Sequence, residues 1–256
     1  MIHPREYTIA GPENALAIVL IHGARMTRAL WQPQIDALSS SLRVIAPDLP
    51  GHGALAGRPF SLDAAVAQIA AVVDAVAGGR AIVCGLSLGG YVALAFGARH
   101  PHSTIALVLS GCTFSFRGLP GRLVGAPYIA VARFVTRTFS PVLARIEERA
   151  LRQRYPAALA DPIIARGLFY RSYADISAEL LNFDPMPALR TCDFPVLLLN
   201  GARDRFFQRH EQSYLRALRH GRLRLIDGAA HLANLDQPEA YTTALRDFVS
   251  EMVTVQ

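Results

Sequence analysis

The sequence predicts an α/β fold in which a mostly parallel central sheet of about seven strands carries helices on both faces. Two observations lead to this prediction. Short apolar runs alternate with helical patterns along most of the 256 residues, and several of these runs end in glycine-rich turns. The alternation stops between residues 113 and 189, where helical patterns broken by prolines predict an inserted helical segment.

Apolar runs and turn residues set the bounds of the individual elements. Residues 15–21 form a continuous apolar run, as expected for a central parallel strand covered on both faces. Ser61 is suited to cap a helix that runs to Ala77, and Gly78-Gly79 is suited to end it. Strands are predicted over residues 5–10, 15–21, 42–46, 80–85, 105–110, 195–200 and 223–226. Further helices are predicted over residues 31–40, 87–99, 209–220 and 238–251.

The chain divides into a core and an insertion. Residues 1–112 and 190–256 are expected to form the core, and residues 113–189 a helical cap. Within the cap, apolar residues recur at helical spacing, while Arg133 and Arg137 fall on the opposite face. The apolar set is Val124, Tyr128, Val131, Val135 and Phe139. This face either packs on the core or, in a lid, roofs a pocket, and the spacing allows both.

Composition excludes several functions. Hydrophobic residues make up 52% of the chain, enough for a substantial core. The chain has no lysine, which excludes a Schiff base and a lysine general base. Three separated cysteines predict free thiols in a reducing compartment, and the first residues lack a secretory signal, so we expect a cytoplasmic protein. No apolar stretch reaches membrane-span length and no nucleic-acid-binding module is recognised, so neither a span nor a nucleic-acid partner is expected.

Positive charge is concentrated in the predicted cap. Residues 113–171 hold ten arginines against Glu147, Glu148 and Asp161, a net charge of +7, while the whole chain carries +6. A basic roof over an active site would attract an anionic substrate, such as a carboxylate or a phosphate-bearing thioester. The alternative is a solvated helix face, in which Glu148 and Arg152 form an i,i+4 pair.

Gly85–Gly89 carries the pattern Gly-Leu-Ser-Leu-Gly between a predicted strand and a predicted helix. In a strand–turn–helix of this kind, glycines permit a turn sharp enough to lift the serine hydroxyl clear of the backbone. Ser87 is therefore the candidate nucleophile. The pattern alone is weak, because a solvated serine in a glycine-rich turn has the same letters. Whether Ser87 is a nucleophile therefore depends on finding the base and the carboxylate that it would need.

A serine nucleophile needs a base, and a carboxylate that holds this base in the right tautomer. His231 follows the last predicted strand among small residues, which suits a base presented into a cleft. Asp204 follows the preceding strand and is the candidate carboxylate. Two alternatives stay open. Asp204 could pair with neighbouring arginines at the surface, and Asp227, four residues before His231, is a second carboxylate that more simply anchors the turn.

The developing oxyanion needs two backbone N–H donors. One is the N–H of Leu88, directly after the candidate nucleophile, and the other is the N–H of Ala24, in the loop after the strand 15–21. His22 is expected to brace that loop. The candidate substrate-binding residues are Arg25, Phe114 and Phe206. Since this chemistry requires neither a metal nor an organic cofactor, none is predicted.

Taken together, these motifs resemble the α/β-hydrolase fold family over nearly the whole chain. The order Ser87, Asp204, His231 is the order of that family's triad. Gly-Leu-Ser-Leu-Gly-Gly and His-Leu-Ala-Asn-Leu-Asp-Gln-Pro-Glu are similar to a branch that holds 3-oxoadipate enol-lactonases, cofactor-free haloperoxidase-type perhydrolases and small esterases. The matching segments are residues 21–23, 47–53, 85–90, 201–204 and 228–239.

Departures from the family refine what the resemblance implies. Only ten residues precede Gly11, so the first strand of the family's opening hairpin is expected to be missing. Serine at the elbow argues against haloalkane dehalogenases and epoxide hydrolases, which carry aspartate there. The segment Arg205–Gln208 is bulkier than the corresponding loop of enol-lactonases, which weakens the prediction of an enol-lactonase activity.

The predicted function is that of a serine hydrolase that cleaves a small-molecule ester, lactone or thioester through an acyl-enzyme. The same residues could serve a lyase or a C–C bond hydrolase, in which the triad acts chiefly as a base. A third hypothesis is a ligand-binding protein that uses the fold only as a scaffold.

Overall fold

One sheet forms the centre of the fold. A computed structural model describes residues 3–115 and 121–254, without the side chains of 121–126 and 253–254. The strands of this part of the chain are β1 Tyr7–Ala10, β2 Ala17–Ile21, β3 Arg43–Pro47, β4 Ala81–Leu86, β5 Thr104–Ser110, β6 Val196–Gly201 and β7 Gly221–Ile226. They lie in the order β1-β3-β2-β4-β5-β6-β7. β1 pairs antiparallel with β3 at one edge, and the other neighbouring pairs are parallel. The predicted fold class is confirmed.

The register of the parallel strands brings their carboxyl ends to one edge of the sheet. Ile21 at the end of β2 lies opposite Gly85 of β4. Leu86 at the end of β4 lies opposite Ser110 at the end of β5. The ends of β6 and β7 are likewise paired. The loops that follow these strands therefore open at the same edge, where α/β proteins bind their ligands.

Helices cover both faces of the sheet. Val19 and Ile21 of β2 join an apolar cluster with residues of α2 and α3, whereas Ile18 and Leu20 join a second cluster with residues of α1 and α12. This alternation is the two-residue period of a strand, and it buries apolar side chains on both faces. None of the described helices is long and apolar enough to cross a membrane. The helices are α1 Gln32–Leu38, α2 Leu62–Val76, α3 Leu88–Arg99, α4 Gly121–Thr138, α5 Ser140–Arg154, α6 Ala157–Arg166, α7 Tyr173–Asn182, α8 Pro185–Thr191, α9 Arg205–Gln208, α10 Glu211–Ala217, α11 Ala233–Asp236 and α12 Pro238–Thr254.

The ends of α2 follow the predicted turn residues. The Oγ atom of Ser61 accepts a hydrogen bond from the backbone N–H of Ala64 at 3.1 Å. Gly78 and Gly79 adopt φ angles of 68° and 81°, in the left-handed region that side chains disfavour. Local turn chemistry therefore suffices to place this helix.

The segment after β6 differs from the prediction. The helix expected over residues 209–220 is confined to α10, and the short α9 precedes it. Leu218 has an extended backbone, with φ −88° and ψ 138°, and its side chain is buried, so the chain leaves the helix there. β7 consequently begins at Gly221, two residues before its predicted start.

The helices α4 to α8 begin within the described part of residues 113–189, and α8 continues to Thr191. α4 contacts α7, and α8 contacts α3 of the core. Arg133, on the polar side of α4, also contacts α7, because its Nη2 atom lies 3.0 Å from Oδ1 of Asp175. The Val124 side chain lies outside the described residues. Three residues of the predicted apolar set have large exposed fractions, Tyr128 at 47%, Val131 at 62% and Phe139 at 46%.

Candidate active site

Ser87 lies between β4 and α3 in a strained backbone conformation. Its φ of 56° and ψ of −117° fall outside the regions that L-residues prefer. The flanking glycines permit this turn: a Cβ atom on Gly85 would lie 2.1 Å from the carbonyl oxygen of Gly89, and one on Gly89 would lie 2.2 Å from that of Ile21. The N–H of Ser87 donates to the carbonyl of Ser110 at 2.7 Å. The sequence around Ser87 thus forms the predicted sharp turn at the carboxyl edge of the sheet.

His231 and Asp204 are in direct contact. Nδ1 of His231 lies 2.7 Å from Oδ2 of Asp204. The Asp204 side chain is 8% exposed and that of His231 is 38% exposed, so the carboxylate is sheltered and the imidazole remains accessible. The alternative of a surface ion pair between Asp204 and a neighbouring arginine does not fit this burial. Asp227 is exposed and does not form this contact.

Gly111 connects this pair to the elbow. It follows Ser110, whose carbonyl holds the Ser87 N–H. A Cβ atom on Gly111, which has a φ of 56°, would lie 3.0 Å from Nδ1 of His231 and 3.7 Å from Oδ2 of Asp204. The bare backbone at the end of β5 therefore touches the elbow on one side and the histidine–aspartate pair on the other. The residues predicted as nucleophile, base and carboxylate share one edge of the sheet.

The loop after β2 runs alongside the elbow. A Cβ atom on Gly23 would be in van der Waals contact with Cβ of Ser87, at 3.5 Å. Leu88 is the first residue of α3, and the first N–H groups of a helix have no partner within it. Within residues 3–115 and 121–254, neither the N–H of Leu88 nor that of Ala24 donates a hydrogen bond. Both amides are therefore available to an oxygen bound beside Ser87.

Two buried histidines hold this loop. Nδ1 of His22 contacts the carbonyl of Gly23 at 2.8 Å, and its Nε2 accepts from the N–H of Leu49 at 3.0 Å. Nε2 of His52 accepts from the N–H of Arg25 at 3.2 Å. An accepting Nε2 requires a neutral ring, and burial lowers the pKa of His22 to about 4 and the pKa of His52 to about 3. The bracing role predicted for His22 is confirmed.

The neutrality of these rings makes folding sensitive to acid. We expect the free energy of unfolding to decrease between about pH 7 and pH 5, because the unfolded chain takes up protons at these histidines and the folded protein does not. The contribution is complete above the unfolded pKa of 6.5 and is lost as the pH falls towards the lowered folded value. Each histidine accounts for about 2 kcal/mol of the decrease over this range.

Urea unfolding at both pH values measures this effect. His52→Gln removes one titrating ring and should reduce the decrease by about 2 kcal/mol. The matched control is His102→Gln, because His102 is exposed, and it should leave the decrease unchanged. An identical decrease in wild type and His52→Gln would contradict the assigned neutrality.

A buried ion pair supports the same loop. Nη1 of Arg28 lies 2.5 Å from Oδ2 of Asp48, and the two side chains are 7% and 0% exposed. Oδ2 of Asp48 also accepts from the N–H of Ala54 at 3.0 Å, and a Cβ atom on Gly53 would lie 2.2 Å from it. Breaking a buried pair leaves an uncompensated charge. Asp48 therefore fastens the loop after β3 to the chain that follows Ala24.

The Arg25 side chain reaches towards α5. Its Nη2 atom lies 3.4 Å from Oε1 of Glu147, and its Nη1 donates to the hydroxyl of Tyr170 at 3.2 Å. The guanidinium carbon also lies 5.3 Å from the centroid of the Tyr170 ring. Arg25 thus links the loop after β2 to the helical segment, and a contact with substrate stays a prediction.

A series of contacting aromatic rings extends from His231. The predicted substrate-binding residues Phe114 and Phe206 stack on each other, with centroids 4.5 Å apart and an interplanar angle of 30°. Phe207 stacks on His231, at 4.9 Å and 16°. The sequence prediction missed Phe207, although its position next to Phe206 in the loop after Asp204 is a signal that could have identified it.

Part of the positive charge of the helical segment is neutralised. Nε of Arg152 lies 3.7 Å from Oδ1 of Asp161, and the predicted pair with Glu148 is absent from the described contacts. Arg154 pairs with Asp236 of the core at 2.8 Å. These arginines are 57% and 51% exposed, so much of their charge still faces solvent.

Comparison with known proteins identifies the family. The sequence pattern of the alpha/beta hydrolase family matches residues 18–244. The chain belongs to this family. A relative from Neisseria meningitidis serogroup C, pimeloyl-acyl-carrier protein methyl ester esterase, is 31% identical to this hydrolase over 247 residues, covering 93% of this chain and 95% of the relative. The enzyme 3-oxoadipate enol-lactonase 1 from Acinetobacter baylyi is 29% identical over 260 residues, covering 95% and 92%.

Solved structures share the fold of the hydrolase. A thermophilic esterase from Thermogutta terrifontis matches with a TM-score of 0.80 and 22% identity, covering 96% of this chain and 93% of the other. The enol-lactonase from Burkholderia xenovorans matches with a TM-score of 0.75 and 24% identity, covering 95% of each chain. The predicted resemblance to esterases and enol-lactonases is confirmed, and the chain is an enzyme of this family.

The sequence prediction also missed the polar residues that support the site of the hydrolase. Asn200, at the end of β6, accepts from the N–H of Gly111 at 2.8 Å through Oδ1. Its Nδ2 donates to Oε1 of Glu211 at 2.6 Å and to the Thr113 hydroxyl at 3.1 Å. Burial and the nearby Asp204 raise the pKa of Glu211. A polar residue that ends an otherwise apolar strand is the signal that could have identified Asn200.

Proposed function

We propose that this hydrolase cleaves a carboxylic ester through an acyl-enzyme on Ser87, with His231 as base and Asp204 as the carboxylate that orients it. The observation that carries the proposal is the 2.7 Å contact between Nδ1 of His231 and Oδ2 of Asp204, at the sheet edge that also holds the strained Ser87 turn. A carboxylate on Nδ1 retains the proton there and leaves Nε2 free to accept another. Relatives named as an esterase and an enol-lactonase support an ester or lactone substrate.

The reaction proceeds in two halves. Oγ of Ser87 attacks the ester carbonyl carbon while Nε2 of His231 takes the hydroxyl proton, and the N–H groups of Ala24 and Leu88 donate to the oxyanion. Collapse of this intermediate expels the alcohol, which receives the proton from His231. Water then attacks the acyl carbon and gives its proton to His231. The second collapse releases the carboxylic acid and returns the proton to Ser87.

For the substrate, we favour the methyl ester of an acyl chain attached to an anionic carrier. The Neisseria meningitidis relative supports this class, because its name describes a methyl ester on acyl-carrier protein. The excess of arginine in residues 113–171 favours a negatively charged substrate. In this proposal residues 113–189 act as a lid, and the aromatic surface of Phe114, Phe206 and Phe207 faces the acyl chain.

An enol-lactone is the second candidate, supported by the 29% identity to the enol-lactonase. The bulk of Phe206 and Phe207 beside His231 favours an acyl chain over a compact lactone. We also propose a cytoplasmic location, since the cysteines are free and buried as suits a reducing compartment.

A substrate panel tests this proposal. It contains pimeloyl methyl ester on acyl-carrier protein, the same methyl ester without carrier, an enol-lactone, and p-nitrophenyl esters from acetate to octanoate. We expect the carrier-bound ester to have the highest kcat/KM and to lose that advantage at high ionic strength, because salt screens the attraction. Equal kcat/KM for free and carrier-bound esters would exclude the anionic carrier. Turnover of none of these substrates above the Ser87→Ala background would exclude ester hydrolysis.

A further inference from the structure

The carboxylate of Asp236 lies directly behind the loop that presents His231. Its Oδ2 atom accepts a hydrogen bond from the N–H of Ala230 at 2.7 Å. Its Oδ1 atom accepts from the hydroxyl of Tyr155 at 2.7 Å, and Nη2 of Arg154 lies 2.8 Å from both oxygens. The Asp236 side chain is only 8% exposed. A buried carboxylate with this many donors holds its surroundings in one geometry.

The backbone next to His231 is held from two sides. Ala230, the residue before the histidine, is held by Asp236. The carbonyl of Ala229 accepts from the N–H of Arg203 at 2.8 Å, directly before Asp204. The main chain of residues 229–231 thus lies between the loop that carries the carboxylate partner and the side chain of Asp236. Because catalysis is sensitive to small displacements of the base, this bracing bears on activity.

The side-chain donors to Asp236 come from the helical segment. Arg154 is the last residue of α5, and Tyr155 follows it with a buried ring. Burial, together with the Asp236 carboxylate, raises the pKa of Tyr155, so its hydroxyl stays a donor. Glu147, two helical turns earlier on the same side of α5, contacts Arg25 in the loop after β2. One helix therefore contacts both the loop of Ala24 and the loop of His231.

We propose that Asp236 is a positioning residue for His231, and that Tyr155 couples the position of α5 to the orientation of that histidine. The inference rests on the proposed function in that His231 is taken as the base. Asp236 does not touch the reacting atoms and acts through the N–H of Ala230. With α5 in the position described, the Tyr155 hydroxyl holds the Asp236 carboxylate and the carboxylate holds the N–H of Ala230. The imidazole of His231 then faces Asp204.

Kinetics and imidazole spectra of three variants test the proposal. Asp236→Ala removes the acceptor and should lower kcat by about 10- to 100-fold, with KM within about twofold. Asp236→Asn retains an oxygen for the Ala230 N–H, and its amide N–H can donate to the Tyr155 hydroxyl, so kcat should recover to within about threefold of wild type. Tyr155→Phe removes a single hydroxyl and should lower kcat by about tenfold.

The spectroscopic readout does not depend on turnover. Long-range proton–nitrogen correlation spectra, assigned through His231→Ala, report which imidazole nitrogen carries the proton. We expect a single tautomer with the proton on Nδ1 in wild type, and a mixture of tautomers in Asp236→Ala and Tyr155→Phe. The matched control is Asp175→Ala, which breaks the Arg133–Asp175 pair between α4 and α7 without touching the His231 loop. It should change neither kcat nor the tautomer.

The outcomes separate this proposal from the proposed function. Wild-type kcat and a single tautomer in folded Asp236→Ala, or in Tyr155→Phe if the alanine variant does not fold, would overturn the positioning role. If Asp236→Ala and Tyr155→Phe lost no more kcat than Asp175→Ala, the loss would show only a general effect of disturbing the helical segment. If Ser87→Ala retains turnover, the proposed function fails, while the tautomer spectra still decide whether Asp236 positions His231.

Discussion

Replacing Ser87 by alanine should lower kcat/KM for ester substrates by at least about 10⁴-fold, because the acyl-enzyme can no longer form. The protein should remain folded. The contact that holds the turn comes from the backbone N–H of Ser87 to Ser110, and alanine retains it. The free energy of unfolding should therefore change by less than about 1 kcal/mol. Steady-state kinetics together with urea unfolding measure both quantities.

The matched control for this variant is Ser40→Ala, at an exposed serine far along the chain from the elbow. Its kcat/KM should equal that of the wild type. A folded Ser87→Ala protein that keeps more than about a tenth of wild-type activity would show that another group attacks the ester.

Replacing Asp204 by asparagine should lower kcat by about 10⁴-fold with little change in fold. The amide can donate its N–H to Nδ1 of His231, where the wild-type carboxylate accepts from it at 2.7 Å. This favours the tautomer with the proton on Nε2, which cannot take the proton of Ser87. Steady-state kinetics with an ester substrate measure the loss, and imidazole correlation spectra report the tautomer.

The control for the carboxylate is Asp227→Asn. This exposed residue precedes His231 by four positions, and it is the competing carboxylate that sequence reasoning proposes for the turn. It should keep wild-type kcat. If Asp227→Asn were as inactive as Asp204→Asn, or if Asp204→Asn kept its activity, the assignment of the carboxylate would be wrong.

The sequence was sufficient to predict the fold and the sheet edge at which the site forms. Strand periodicity, a helix cap such as Ser61 and the glycines around Ser87 are local signals, and local chemistry determines them. The predicted neighbours Asp204 and His231 lie in contact because each follows a parallel strand, and parallel strands end at one edge. His22 braces the loop after β2 for the same reason, because its two contacts, Gly23 and Leu49, lie in loops that follow the parallel strands β2 and β3.

The features that the sequence could not predict depend on how elements dock. Helical spacing gives the apolar side of α4, but whether that side is buried depends on α7, and Val131 remains 62% exposed. Sequence proximity proposes Asp227 as the anchor of the His231 turn, whereas Asp236 provides that bond from the far side of the loop. Arg25 is a candidate for substrate binding by position, yet its side chain is engaged by Glu147. The exposure of α4 and the engagement of Arg25 depend on residues distant in the chain, whereas Asp236 lies only six positions from Ala230.

Ser87 as the nucleophile is tested most sharply by stoichiometric labelling with a fluorophosphonate, followed by mass-spectrometric mapping of the adduct. We expect one adduct per chain on Ser87, no adduct in Ser87→Ala, and slow labelling in Asp204→Asn, because the activated serine hydroxyl is the group that reacts. An adduct on any other residue, or a folded wild-type protein that takes up no label, would contradict the assignment of Ser87 as the nucleophile.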